Sequence, residues 1–370
     1  MPSKIIQPPT TNSVIIYNMK IRENVPLSEL TTMRLGGPAR YVVDINKAKD
    51  LDKVFNFIDQ KDLPFYILGD GSNTIAHDEG FDGVIIRYHE KFITFLANQL
   101  DPFTRQMAFG PGGIAEGFVP IVVSAGTPWD DVVKFATKHN LTGIEALSKI
   151  PGTAGAAVVQ NIGAYGQQIS DVLTNITVYD IKTRELLSLD ANDLNLSYRQ
   201  SIFNTTARNR YFIIHLTLNL TKGQMPHPFY ESIENYIAKH HCTDLSPSGI
   251  RKIVSTIRKD KLPDPAKIPS SGSFFKNVIL KKADYKDALR KGYPVRHYGT
   301  GGKLSAAWLI EQCNLKGQLL HGMRVSDKAP LVLINESAKS YADLAAARNE
   351  IITAVKEKFG YTLEQEPNEI

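Results

Sequence analysis

Two hydrophobic periods alternate along this chain. Short apolar runs of strand length are followed by segments whose apolar residues recur at helical spacing, a pattern that argues α+β or α/β architecture. Phe65-Tyr66-Ile67-Leu68 and Val84-Ile85-Ile86 read as short buried strands with a Gly-rich turn between them. Val119 to Ala125 is a third strand, ended by Gly126. Thr127 then stands at an N-cap and Pro128 at a first helical position, with Asp130 and Asp131 at the positive end of the helix. That helix should run to about Asn140, where Leu141-Thr142-Gly143 stops it. Ile176 to Asp180 and Tyr211 to Asn219 alternate like half-buried strands. Ser246 and Pro247 open another helix. The last helix is the clearest: Ser340 and Asp343 have capping-box spacing, Leu344, Ile351, Ile352, Val355 and Phe359 form one stripe, and Gly360 ends it.

Two stretches break the pattern. Phe92 to Gly117 contains Phe109-Gly110-Pro111-Gly112-Gly113 and reads as a flexible surface loop. Leu262-Pro263-Asp264-Pro265 cannot be helical throughout and marks a domain boundary. Residues 1–23 read as a Pro/Thr/Asn-rich leader without an apolar run of signal-peptide length.

Composition narrows the class without choosing a function. The 370 residues suffice for two or three domains. The net charge of +5, from 43 basic minus 38 acidic residues, is mild for a nucleic-acid binder and suits an anionic small molecule. No stretch approaches the roughly 18 apolar residues of a membrane span. Two cysteines, Cys242 and Cys313, argue against a disulfide framework or a cysteine metal site and fit a reducing cytoplasm.

The candidate chemistry lies in small-residue segments. Leu68-Gly69-Asp70-Gly71-Ser72-Asn73 follows a strand, and successive amides there can form an anion nest, although a plain β-turn uses the same residues. It is neither a Rossmann fingerprint nor a P-loop. Ile150-Pro151-Gly152-Thr153-Ala154-Gly155 and Gln160-Asn161-Ile162-Gly163-Ala164-Tyr165-Gly166 offer a second surface poor in side chains, suited either to tight helix packing or to a flat extended ligand. Further on stand Tyr198-Arg199-Gln200-Ser201, then Arg258-Lys259-Asp260-Lys261-Leu262-Pro263-Asp264-Pro265, then Gly272-Ser273-Phe274-Phe275-Lys276-Asn277. Trp308-Leu309-Ile310-Glu311-Gln312-Cys313 and Leu363-Glu364-Gln365-Glu366 follow.

In this order and spacing, from about Asn24 to Glu366, these motifs resemble the UDP-N-acetylenolpyruvoylglucosamine reductase family. The resemblance implies a vanillyl-alcohol-oxidase/PCMH-like FAD-binding fold of α+β class, with a separate α+β C-terminal substrate-binding domain. It implies FAD-binding subdomains over residues 24–90, rejoined by 362–370, and over 91–262, and a substrate domain over 263–361. It also implies noncovalent FAD, NADPH as co-substrate, an enolpyruvyl ether of a UDP-sugar as substrate, no metal, and a cytoplasmic monomer that neither binds nucleic acid nor enters membranes. Carried over residue by residue, Gly69, Gly71, Ser72, Asn73, Ile150, Pro151, Gly152, Gly155, Asn161, Gly163, Ala164 and Tyr165 would hold the cofactor. Arg199, Ser273 and Glu366 would be catalytic, with Ser273 the proton donor. Tyr165, Tyr198, Tyr230, Arg258, Lys261, Asn277 and Gln312 would face the substrate. The family usually continues Glu-Val into a strand after its catalytic glutamate; here Pro367 follows Glu366. The competing readings are another FAD oxidoreductase of this fold, an inactive nucleotide-binding homologue, and a nucleic-acid-binding protein.

Overall fold

A computed structural model of the chain describes residues 13–16, 19–98 and 117–370. Most of the proposed leader and most of the Gly/Pro-rich loop lie outside the described residues. The parts that are described correct both boundaries. Ser13–Ile16 and Met19–Pro26 are paired strands, so the ordered sheet begins inside the stretch read as leader. Ile21 and Val25 of the second strand are both buried, in separate clusters on either side of the sheet, with Asn24 between them at a left-handed φ of 54°. Ile93–Phe95 likewise pairs with Phe118–Ser124 and is not loop.

The first sheet runs Ser13–Ile16, Met19–Pro26, Pro38–Ile45, Phe81–Tyr88, Phe65–Ile67 from edge to edge, with the last two pairings parallel. The second, antiparallel throughout, is centred on Tyr211–Lys222, which pairs with Leu173–Asp180 on one side and Phe118–Ser124 on the other. The two sheets share one core: Ile21, Val43, Val84 and Ile86 of the first join Val123, Ile176 and Leu216 of the second. Helices Leu51–Lys61 and Trp129–Lys138 fill it with Phe55, Phe57 and Trp129, all buried. The second helix starts one residue later than expected. Thr127 is buried and its hydroxyl donates to the Phe92 carbonyl, so it does not cap. Asp130 meets Arg251 and Lys149 instead.

Helices Glu231–His240 and Pro247–Lys261 pair over a small separate core of Phe229, Ile233, Ile250, Val254 and Ile257. Ser246 caps the second, accepting from the Gly249 amide at 3.1 Å. Beyond Leu262, two three-stranded sheets and helices Lys282–Arg290, Ala306–Gln312 and Tyr341–Phe359 build a further core around Phe274, Phe275, Leu309 and Val325. The last helix forms as the pattern dictates. Ser340 and Asp343 make the reciprocal capping box, Gly360 takes φ 78°, and Leu344, Ala347, Ile351 and Val355 are buried. Each large side chain in that stripe stabilises the docking by roughly 2 kcal/mol. After it the chain returns to the first lobe: Asn368–Glu369 pairs in parallel with Thr74–Ile75. Among the described residues no helix is long and apolar enough to cross a membrane.

Candidate active site

The first glycine segment turns between Phe65–Ile67 and Thr74–Ile75. Gly71 has φ +66°, and a Cβ there would lie 2.0 Å from the Leu30 carbonyl oxygen, so no other residue fits without moving backbone. The second segment packs against it. Thr153 caps the short helix Ala154–Val159, accepting from the Ala156 amide at 3.3 Å, and its Oγ1 would lie 3.1 Å from a Cβ on Gly69. The Asn73 side chain donates to Gln160 Oε1. Between the two segments lies a cavity of about 650 Å³. Gly69, Gly71, Ser72, Asn73, Pro151, Gly152 and Gly155 line it. Among the described residues no group engages the amides of Gly69, Asp70, Gly71 or Ser72, which leaves consecutive N–H donors at the wall. Such a wall fits a pyrophosphate, and the side-chain-poor faces fit a flat ring system; the residues present therefore suit FAD.

Ile150, Asn161, Gly163, Ala164 and Tyr165 are not on that wall. Asn161 is buried, donates to the Ser197 carbonyl at 3.1 Å and accepts from the Ser170 amide at 3.1 Å, so its amide is committed to anchoring the next motif. The Gly163 carbonyl accepts from Arg199 Nη2 at 3.3 Å. The wall also holds Arg208, Asn209 and the tail residues Asn368 to Ile370, for which no local sequence signal exists.

Arg199 sits in a tight turn closed by two backbone hydrogen bonds between Ser197 and Gln200, at 3.0 and 3.1 Å. Its φ of 58° is left-handed, a strain of roughly 1 kcal/mol or more for a non-glycine residue. Asn204 Nδ2 donates to its carbonyl at 3.0 Å and helps hold that conformation. Arg199 Nε lies 2.9 Å from Glu366 Oε1. The N–H does not point along that line, so the contact is ionic rather than a directed hydrogen bond. Burial pushes the Glu366 carboxyl above the ordinary range, against the pull of the Arg199 charge.

Ser273 reaches the same place through the backbone. The Thr32 amide donates to the Gly71 carbonyl at 3.1 Å, and Thr32 exchanges hydrogen bonds with Ser270 at 2.6 and 3.0 Å. The segment after Ser270 is thereby tied to the first glycine turn. The next residue after Ser273, Phe274, accepts the Glu366 amide at 2.9 Å. Ser273 itself is half-buried and, among the described residues, its hydroxyl makes no hydrogen bond, while the buried hydroxyl left without a partner in this segment is that of Ser271.

The substrate-side candidates divide. The Tyr198 hydroxyl accepts from the Asn277 amide at 3.1 Å, and both residues line a second cavity of about 370 Å³ with Lys276, Tyr298 and Glu364. Asn277 Oδ1 is spent on the Ala306 amide at 3.0 Å. Tyr165 meets Tyr230 edge-on at 5.8 Å and lies beside Arg258, whose guanidinium is buried and has its pKa lowered by that burial. Lys261 is exposed at the end of Pro247–Lys261. Gln312 is exposed at the end of Ala306–Gln312, where its backbone carbonyl accepts from Lys358 Nζ on helix Tyr341–Phe359. Two cations that the sequence did not single out stand closer. Lys303 Nζ lies 4.6 Å over Tyr198 and 4.4 Å over Tyr298, and Arg296 stacks on Tyr230 at 4.7 Å. Burial lowers the Lys303 pKa, and the neighbouring Arg199 and Arg296 lower it further.

Residues 39–189 match the FAD binding domain family, and residues 264–370 match the C-terminal domain of UDP-N-acetylenolpyruvoylglucosamine reductase. The UDP-N-acetylenolpyruvoylglucosamine reductase of Ralstonia nicotianae is 33% identical over 346 residues, which cover 92% of this chain and 97% of that one. The chain belongs to that reductase family. Its members are FAD-dependent oxidoreductases. The family's enzyme in Thermobifida fusca is 32% identical over 360 residues, covering 93% and 96% of the two chains. The crystal structure of the reductase from Thermus caldophilus matches with a TM-score of 0.62 at 22% identity, over 95% of this chain and 99% of that one, and it supports the fold. In class that fold is the expected one: α+β, with an FAD-binding domain and a separate C-terminal domain.

Proposed function

We propose that this enzyme reduces UDP-N-acetyl-3-O-(1-carboxyvinyl)-glucosamine to UDP-N-acetylmuramate at the expense of NADPH, in the cytoplasmic synthesis of peptidoglycan precursors. The observation that carries the reading is the 2.9 Å contact between Arg199 and Glu366, made where the tail crosses from the Ser273 segment to the first glycine turn. FAD, held by the residues from Gly69 to Asn73 and from Pro151 to Gly155, supplies two-electron transfer between NADPH and the vinyl group.

The chain's own residues have three tasks. Arg199 donates Nη2 to Gly163 and keeps only an ionic contact with Glu366, which leaves further N–H donors for a carboxylate whose charge grows as the double bond is reduced. Glu366, with its pKa raised by burial, is neutralised by a proton or by Arg199, so it steadies that charge pattern instead of repelling it. The free hydroxyl of Ser273 gives the proton to the carbon beside the carboxylate. Lys303, Arg258 and Lys261 supply positive charge for the two phosphates, and Tyr230 closes over them. Purified protein should be yellow and should consume NADPH steadily only when the enolpyruvyl sugar nucleotide is present. Consumption that ignores that substrate would end this reading.

A further inference from the structure

The tail that carries Glu366 is held by backbone on both sides but by very little of it. Upstream, Lys276 donates to the Glu364 carbonyl at 2.8 Å and Glu366 donates to Phe274. Downstream, Asn368 donates to Asn73 at 3.0 Å and Ile370 to Ile75 at 2.9 Å, a strand of two residues. Glu366 sits at the switch between these two pairings.

A side-chain cluster bridges that switch. Glu369 Oε1 accepts from the Tyr341 hydroxyl at 3.0 Å, from Gln365 Nε2 at 3.2 Å and from Arg348 Nη1. His77 Nε2 lies 3.3 Å from Glu369 Oε2, and its ring stacks on Tyr341 at 3.8 Å. Arg348 also donates to Gln365 Oε1 at 2.8 Å, and Gln365 Nε2 donates to the Pro367 carbonyl at 2.8 Å. Gln365 and Glu369 are thus tied to each other and to one arginine, and the loop they close contains Glu366. Burial alone would raise the Glu369 carboxyl, but Tyr341, Gln365, Arg348 and His77 outweigh it and hold the group below its ordinary range. The partners come from both lobes: His77 follows the first glycine turn, Tyr341 opens the last helix and Arg348 lies about two turns further along it.

We propose that Glu369 is a positioning residue, which through Arg348, Gln365, Tyr341 and His77 holds the Glu366 carboxyl against Arg199. The inference rests on the proposed role of Glu366. A carboxylate displaced by even about 1 Å loses much of its effect on a reacting centre.

The test compares Glu369→Ala and Glu369→Gln in the FAD-loaded enzyme. Hydrogen exchange should show the amides of Glu366 and Asn368 opening roughly tenfold more often in Glu369→Ala. Rapid mixing should show reoxidation of the reduced flavin by the enolpyruvyl sugar nucleotide slowed by roughly 10- to 100-fold. Because Glu369 also lines the cofactor cavity, each variant is first saturated with FAD and the two half-reactions are compared as a ratio: reoxidation should fall roughly tenfold more than flavin reduction by NADPH. Glu369→Gln keeps an acceptor and should recover most of the rate. In a Glu366→Gln background, Glu369→Ala should add no further slowing, because it acts through the group already removed. Equal slowing of both half-reactions, additive losses, or unchanged tail exchange would overturn the proposal. Should wild-type enzyme fail to reoxidise with that substrate, the functional reading falls, and the exchange measurement alone still decides whether Glu369 fixes Glu366. If Glu369→Ala does not fold, Tyr341→Phe removes one hydroxyl of the cluster and carries the same comparison at smaller amplitude.

Discussion

Replacing Gly71 by alanine should damage the fold and the cofactor site together. The added Cβ would lie 2.0 Å from the Leu30 carbonyl oxygen and 2.8 Å from Thr31 Cα, well over 1 Å inside contact distance. Both neighbours are backbone, so neither can swing aside. The φ of +66° costs alanine roughly 1–2 kcal/mol. Relieving the clash costs about 1–3 kcal/mol more. The Thr32 amide to Gly71 carbonyl bond, at 3.1 Å, would be lost with the shift, another ~1 kcal/mol. The sum is about 3–6 kcal/mol, which lowers the thermal midpoint of the apoprotein by roughly 4–8 °C. The same shift turns the free amides of the cradle away from the pyrophosphate, and the lost charge-assisted bonds should weaken FAD by roughly 10- to 100-fold. Calorimetry of the apoprotein and fluorescence titration with FAD measure the two effects separately. Gly152→Ala is the comparison: its φ of +110° is strained, but its one close neighbour is Ser72 Oγ at 3.3 Å, so it should cost less. Gly69→Ala has no such φ and should be mildest. The reasoning fails if Gly71→Ala lies within about 0.5 kcal/mol of wild type, or if Gly69→Ala costs more than it does.

Other outcomes follow from single groups. Ser273→Ala should leave NADPH-driven flavin reduction intact while slowing reoxidation by the sugar nucleotide by orders of magnitude; equal losses in rapid mixing would remove it from the proton-donor role. Glu366 binds its proton more tightly folded than unfolded, so its contribution to stability falls as pH rises through the range between those two values. The stability of Glu366→Gln relative to wild type, followed by denaturant titration, should therefore improve with increasing pH; a flat difference would mean that Arg199 fully offsets the burial. For Asp130, burial alone would raise the carboxyl, but hydrogen bonds from Arg251 at 2.7 and 2.9 Å and from Lys149 outweigh it and hold it well below the usual range. Asp130→Asn should cost about 2 kcal/mol at neutral pH, and the deficit should shrink as pH falls below about 4, where the unfolded carboxyl takes up its proton; a pH-independent deficit in thermal scans would point to packing instead.

What the sequence made legible is local in origin. The last helix announced itself because cap, stripe and terminating glycine all lie within one segment. Both glycine segments were readable because a backbone that must approach a ligand or turn at positive φ leaves few residue choices. What stayed hidden depends on distant partners. Arg208 reaches the cofactor wall from the turn before Tyr211–Lys222, and Lys303 joins Tyr198 only because the strand Gly301–Leu304 meets the turn at Ser197–Gln200. Gln312 is expected from its motif to face the substrate; in the structure its backbone carbonyl accepts from Lys358 at the end of the helix Ala306–Gln312. The tail after Glu366 offered no pattern of its own; what fixes it is a carboxylate at 369 meeting a histidine 292 positions earlier.

The turn at Arg199 shows why the site has to be assembled this way. A glycine at 199 would relieve the left-handed strain but would remove the guanidinium, so the chain keeps the strained residue and holds it from outside. Asn161 grips the carbonyl at one end of the turn, Asn204 grips that of Arg199 itself, and Glu366 meets the side chain. Asn204 is local to the turn, but Asn161 and Glu366 come from distant segments and reach it only once the short helix Ala154–Val159 and the tail have docked. The charge pair therefore exists only in the fully folded protein. Loosening any one anchor should move the guanidinium before it unfolds the domain, because each anchor contributes only about 1 kcal/mol to a core that is far larger.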